Sequence, residues 1–279
     1  MFTLNCKGQI LTITAPIVMG ILNTTPDSFF EKSRLNNEDA LLHKAEEMIK
    51  DGATILDIGG QSTRPNSKRV PEEEEIERVI PAIEKLHQKF PSQLISIDTF
   101  YAGVAKKAIE AGASIVNDVS AGTIDEKLLP TVAALGVPYV LMHMQGNPQT
   151  MQQNPEYKNV TLEVFDALSF KIKELLALGI KDIIVDPGFG FGKTIAHNFQ
   201  LLRELSFFSG LQKLLLVGLS RKGTIYKTLN TTPEEALNGT TVVHTMALLN
   251  GANILRVHDV KEAAEAIKLF LAYKNKEQY

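Results

Sequence analysis

One alternation, repeated eight times, constrains this chain more than any other feature. Short runs rich in leucine and β-branched residues stand at 17–22, 54–58, 94–97, 114–116, 139–142, 182–185, 214–217 and 253–257. Between and after them lie segments of helical period at 37–50, 72–89, 101–110, 125–134, 162–178, 196–207, 233–249 and 260–274. Several of these segments close on a glycine, at Gly52, Gly112, Gly136, Gly179 and Gly251, where a helix can end in left-handed geometry. Eight strand-then-helix units in about 260 residues match an α/β chain closed into a single (β/α)8 TIM barrel. An open doubly wound sheet would carry G-x-G-x-x-G after its first strand, and this chain reads GILNTT from Gly20. Ahead of the barrel, 2–5 and 10–13 read as a short β-hairpin turning at Lys7-Gly8. The expectation is one domain over 1–279, with the hairpin in 1–15 and the barrel in 16–275.

The most suggestive motif is DIIVDPGFGFGKT, from Asp182 to Thr194, which ends like a nucleotide phosphate cradle. A P-loop needs a glycine five residues before Gly192, and Pro187 stands there. Proline offers a phosphate no N–H, so this loop has another task.

Composition removes further classes. The 279 residues are 44% hydrophobic and 22% charged, enough for a sizeable core. The net charge of −3, without any basic cluster, gives no footprint for nucleic acid or an anionic membrane. A lone Cys6 excludes an internal disulfide and a multi-cysteine metal site. The first residues lack a basic start and a continuous apolar core, and no apolar run reaches the roughly 18 residues of a membrane span. The six histidines show no H-E-x-x-H spacing, and His43 and His87 read as surface helix residues. A cytoplasmic protein without nucleic-acid or membrane partners is expected.

In a (β/α)8 barrel the working site is built at the C-terminal ends of the strands. Those ends read Asn23; Asp57 with Gly59-Gly60; Asp98; Asn117-Asp118; Met142-His143; Asp186; Ser220-Arg221-Lys222; and Arg256 with His258. An Asp or Asn after a strand is often only a helix N-cap, which is an even alternative for Asp57 and Asp118. Lys222 could merely neutralise Asp186 or Asp98. Eight polar ends converging on one rim are harder to dismiss. The carboxylates and the asparagine suit a flat, nitrogen-rich heterocycle, while Arg256, His258, Asn23 and Thr63 suit phosphate oxygens or a magnesium carried with them.

These segments resemble the dihydropteroate synthases. GILNTTPDSF at 20–29, DIGGQSTRP at 57–65, IDTF at 97–100, VNDVS at 116–120, LMHMQGNPQTM at 141–151, DPGFGFGKT at 186–194, GLSRKG at 218–223 and RVHDV at 256–260 appear in the family's order over nearly the whole chain. The resemblance implies condensation of 6-hydroxymethyl-7,8-dihydropterin diphosphate with 4-aminobenzoate, giving 7,8-dihydropteroate and diphosphate. It places Asp98, Asn117, Met142, Asp186, Phe191, Gly218 and Lys222 around the pterin. It places Asn23, Thr63, Arg256 and His258 on the diphosphate, with Mg²⁺ held between Asn23 and phosphate oxygens. Thr25, Phe29, Arg64, Pro65, Ser220 and Arg221 fall to the aminobenzoate pocket and its loops, and Lys222, Asp98 and Arg256 to catalysis. A homodimer is implied as well, although no helix face in the sequence identifies an interface.

The chain departs from the family pattern at Phe30, Glu31, Gln61, Asn66 and Gly223, all in or beside the segments expected to meet aminobenzoate. Two other readings therefore stay open: a non-catalytic pterin-binding relative, and a methyltetrahydrofolate-binding methyltransferase domain, which needs neither the Thr63-Arg64 segment nor Ser220-Arg221-Lys222.

Overall fold

The computed structural model describes residues 1–24, 34–61, 69–146, 151 and 155–274. Strands β1 (Phe2–Cys6) and β2 (Gln9–Ile13) pair antiparallel. Cys6 pairs with Gln9, so the turn has two central residues, Lys7 and Gly8, with φ of 55° and 93°. Positive φ at both positions is what a tight hairpin needs to match strand twist.

Eight parallel strands follow and close on themselves: β3 (Ile17–Asn23), β4 (Ala53–Gly59), β5 (Leu94–Asp98), β6 (Ile115–Asp118), β7 (Tyr139–Met142), β8 (Ile183–Asp186), β9 (Leu214–Val217) and β10 (Ile254–Val257), with β10 returning to β3. The helices are α1 (Arg34–Lys50), α2 (Glu72–Lys89), α3 (Ala102–Ala111), α4 (Leu128–Leu135), α5 (Val160–Ala177), α6 (Ile195–Arg203), α7 (Gly223–Tyr226), α8 (Leu237–Leu249) and α9 (Val260–Lys274). Every expected strand and long helix is present, within a few residues of its expected limits.

Local chemistry explains the elements and the shifted ends. Helix α2 begins with four glutamates and ends with His87 and Lys89, complementing the helix dipole, and buries Val79, Ala82, Ile83 and Leu86 at helical spacing. Helix α4 starts at Leu128 rather than 125 because Asp125 accepts from the backbone N–H groups of Ala102 and Lys127. The segment 196–207 splits: α6 stops at Arg203, and a 3₁₀ turn runs from Leu205 to Leu211. The five closing glycines all have positive φ.

Two cores result. The larger lies between the strands and the surrounding helices. The smaller fills the lower barrel, where Met19, Ile55, Leu94, Ile115, Val140, Ile184, Leu214, Leu216 and Ile254 meet Leu4, Cys6 and Ile13 of the hairpin. The hairpin thus plugs the N-terminal end of the barrel. Asn5 N donates to Asp182 Oδ2 at 2.8 Å, and Lys7 Nζ donates to the carbonyl of Ile109 at 2.6 Å, tying the plug down. The buried Cys6 thiol is pushed up to about 12, first by burial and then by Asp182.

Candidate active site

Strand register builds the site. Asn23 pairs with Gly59, Gly59 with Asp98, and Asp98 with Asn117, so four strand ends form one row across β3 to β6. A Cβ on Gly59 would lie 3.6 Å from both Asn23 Oδ1 and Asp98 Cβ, so those two side chains flank a gap in the row. On the other side Met142 pairs with Asp186. Facing residues on a strand recur every second position, so Asp57, Asn117 and Arg256 lie above the plugged layer of Ile55, Ile115 and Ile254.

Asp57, read above as either a cap or a site residue, is the hub of the row. It is 0% exposed, and its Oδ2 accepts from Asn117 Nδ2 at 3.1 Å and Arg256 Nε at 2.6 Å. Arg256 also donates from Nη2 to Asp98 Oδ2 at 2.5 Å. One guanidinium therefore bridges two carboxylates. Burial raises Asp98 to about 7, against the lowering effect of Arg256 and with the help of Asp57, Glu75 and Asp118. Asp118 is a turn residue. It accepts from the N–H groups of Ser120 at 2.6 Å and Gly122 at 2.7 Å, and from the Tyr139 hydroxyl at 2.7 Å.

Opposite the row stand Asp186 and Lys222. Asp186 is 6% exposed and accepts from Gly188 N at 2.7 Å; burial raises its pKa, while Lys222 and that hydrogen bond lower it. A Cβ on Gly218 would sit 3.7 Å from Lys222 Nζ and 3.9 Å from Asp186 Oδ2, so glycine there leaves the two charges facing each other. Lys222 donates to the carbonyl of Phe189 at 2.5 Å and lies 4.5 Å over the Phe191 ring. Burial lowers it to about 8, against Asp186. Phe191 and Met142 belong to a small apolar cluster with Phe100, Val119 and Met151. An apolar wall, carboxylates and an ammonium around one depression can hold a planar heterocycle with an N–H-rich edge.

At the mouth, Ser220 Oγ accepts from His258 N at 3.2 Å and lies 3.0 Å from His258 Nδ1. Burial and then Arg256 push His258 down to about 4, so near neutral pH it is an uncharged imidazole. Arg221, expected at the aminobenzoate pocket, commits its guanidinium elsewhere. Nε and Nη2 donate to the two oxygens of Asp259 at 2.8 and 2.9 Å, and Nη1 donates to the carbonyls of Pro233 and Glu234. Its backbone, at φ 53°, is held in left-handed geometry. Thr25, Phe29, Thr63, Arg64 and Pro65 lie outside the described residues.

Two features escaped the sequence. Gln61 donates to Glu75 Oε2 at 2.6 Å and exchanges hydrogen bonds with both backbone groups of Val70; the buried Glu75 is pushed up to about 7 by burial. Lys193, the lysine of the failed phosphate motif, is 3% exposed, pushed down to about 7 by burial, and sits behind Asp186 rather than in the mouth. Helical spacing from Gln61 to α2 gives no signal for the first. The glycine spacing around Lys193 is a signal that the lysine meets the chain itself.

With this geometry in view, the comparisons are specific. The profile of the family described as "Pterin binding enzyme" matches residues 19–258. Dihydropteroate synthase of Escherichia coli (strain K12) is 44% identical over 266 residues, covering 94% of this chain and 93% of that one. The structure of Yersinia pestis dihydropteroate synthase with a sulfonamide drug complex has TM-score 0.91 at 41% identity, over 98% of this chain and 99% of that one. The structure of the Xanthomonas albilineans enzyme in complex with 7,8-dihydropteroate has TM-score 0.88 at 39% identity, over 98% and 99% of the two chains. The chain belongs to the pterin-binding enzymes and, within them, to the dihydropteroate synthases.

Proposed function

We infer that this chain joins 6-hydroxymethyl-7,8-dihydropterin diphosphate to 4-aminobenzoate, forming 7,8-dihydropteroate and releasing diphosphate. The observation that carries this reading is the row Asn23–Gly59–Asp98–Asn117 standing across one barrel mouth from Asp186, Gly218 and Lys222.

Asp186 accepts two adjacent N–H groups of the pterin's amino-pyrimidine edge, and Asn117 and Asp98 meet the ring from the row. Met142 and Phe191 wall the ring, and Lys222 supplies positive charge beside it. Asn23, Thr63, Arg256 and His258 take the diphosphate, so Arg256 exchanges part of its contact with Asp57 and Asp98 for phosphate oxygens. His258, uncharged near neutral pH, serves as a hydrogen-bonding group rather than a cation.

The C–O bond to diphosphate breaks first and the electron pair leaves with diphosphate. The arylamine nitrogen then attacks the pterin-stabilised cation and loses a proton. Positioning and electrostatics carry such a step without a protein nucleophile. Asn23 Oδ1, a neutral oxygen beside the side-chain gap at Gly59, fits Mg²⁺, which commonly takes few protein oxygens plus substrate phosphates. When bound, the ion supplies charge neutralisation of the leaving diphosphate. On the resemblance, recognition of aminobenzoate falls to Thr25, Phe29, Arg64 and Pro65, together with Ser220. Arg221 acts on that side by bracing the Ser220–Lys222 turn.

The same reading places the protein in the cytoplasm as a homodimer. Val242, Met246 and Leu249 on α8, with Leu269 and Tyr273 on α9, leave large apolar side chains exposed on two adjacent helices. A solution mass equal to one chain would remove the dimer.

The decisive assay combines purified protein, pterin diphosphate, Mg²⁺ and labelled 4-aminobenzoate. Labelled dihydropteroate is expected; pterin binding without turnover would instead establish a non-catalytic relative.

A further inference from the structure

The loop from β8 to α6 places Gly188, Gly190 and Gly192 at φ of 73°, 81° and 60°. Left-handed geometry at every second residue coils the chain, and the carbonyls of Gly188 and Phe191 point at one centre. Lys193 Nζ occupies it, donating to Gly188 O at 3.0 Å and Phe191 O at 2.9 Å. The same ammonium reaches the end of β7, 3.2 Å from His143 O and 3.1 Å from His143 Nδ1. Three N–H groups thus serve four acceptors on two loops, and His143, held neutral by burial at about 3, presents Nδ1 as a lone pair.

The two loops touch backbone to backbone around this ammonium. A Cβ on Gly188 would lie 1.8 Å from His143 O, and one on Gly192 would lie 2.6 Å from Gln145 O. Both loops carry pterin-wall residues: Asp186 and Phe191 on one, Met142 immediately before His143 on the other. Asp186 itself is fastened to the coil through Gly188 N at 2.7 Å. Lys222 holds the face toward the site through Phe189 O, and Lys193 holds the opposite face.

We propose that Lys193 is a positioning residue for the pterin pocket: its buried ammonium locks the coiled 187–192 loop against the end of β7, fixing Asp186, Phe191 and Met142 relative to one another before the substrate arrives. The proposal rests on the pterin reading above. It also explains why the phosphate-cradle motif fails its count: the coil wraps its own lysine instead of an anion. A pre-formed pocket binds tighter because ordering its walls is already complete.

Lys193→Met keeps the length of the chain and removes every donor. In the folded variant, titration calorimetry with a bare pterin is expected to show at least about a tenfold weaker Kd. Under steady-state assay, KM for pterin diphosphate rises in parallel, while KM for aminobenzoate and kcat at saturating pterin stay within about twofold. Lys193→Gln, which keeps two N–H donors, falls between, and it carries the same measurement where the methionine variant does not fold. A purely structural lysine would lower the melting temperature and leave the folded fraction with wild-type pterin affinity; that outcome, or equal losses for both substrates, overturns the proposal. Failure of the wild-type protein to bind pterin sinks the functional reading instead and is separately visible.

Discussion

On β8, Ile184 faces the hairpin and Asp186 faces the mouth, one strand period apart. The same change occurs between Ile55 and Asp57, Ile115 and Asn117, and Ile254 and Arg256, and over two periods, through the buried Ser96, between Leu94 and Asp98. The lower layer is apolar and capped by two antiparallel strands; the upper layer holds three buried or nearly buried carboxylates, Asp57, Asp98 and Asp186, and two cations, Lys222 and Arg256. The lower layer gains free energy by excluding water. The upper layer loses some, since burial drives Asp98 and Asp186 upward and Lys222 downward. One end stabilises the barrel and the other spends part of that stability on a site already desolvated for its ligand.

Substitutions at the two ends should separate cleanly. Ile184→Ala opens a cavity under the plug and should cost about 4 kcal/mol of unfolding free energy in denaturant titrations, with pterin affinity retained. Unchanged stability would show that the hairpin is ornamental to the core. Asp186→Asn reverses the pattern. Its amide can keep the Gly188 contact but points a donor at ring donors, so pterin affinity should fall roughly 100-fold, about 3 kcal/mol, without loss of melting temperature. Wild-type affinity in this variant would remove Asp186 from the pocket.

Arg256→Ala strips the cation from Asp57 and Asp98. The pterin diphosphate should lose about tenfold more affinity than the bare pterin, and equal losses by calorimetry would displace Arg256 from the diphosphate. The smallest effect concerns Glu75. Its folded pKa is raised to about 7, so it favours the fold while protonated, and that contribution is lost as pH rises through about 7. Glu75→Gln cannot ionise and should gain about 1 kcal/mol on wild type between pH 6 and pH 8. Parallel melting curves at both pH values would place the carboxyl outside this balance.

The difference between the two ends also governs what the sequence makes legible. The strands and the plug follow from periodicity and from Lys7-Gly8, because local pattern dictates them. The polar strand ends are legible because parallel register aligns them, as in Asn23, Gly59, Asp98 and Asn117. Partner choice within the upper layer is not. Asp57 reads equally well as a cap until Arg256, 199 positions away, is brought to 2.6 Å. Arg221 reads as a mouth cation until its left-handed backbone delivers the guanidinium to Asp259. Lys193 looks like a phosphate ligand until three left-handed glycines coil the loop and turn the carbonyls of Gly188 and Phe191 toward it.

Cys6 turns the plugged end into its own reporter. The only sulfhydryl of the chain is carried by the hairpin itself, facing the barrel floor, and resists ionisation, so an alkylating reagent can reach it only in molecules whose hairpin has lifted away. Counting the modified fraction against time would clock the breathing of the barrel floor without any engineered probe, and ligands at the far rim could be tested for whether they slow it.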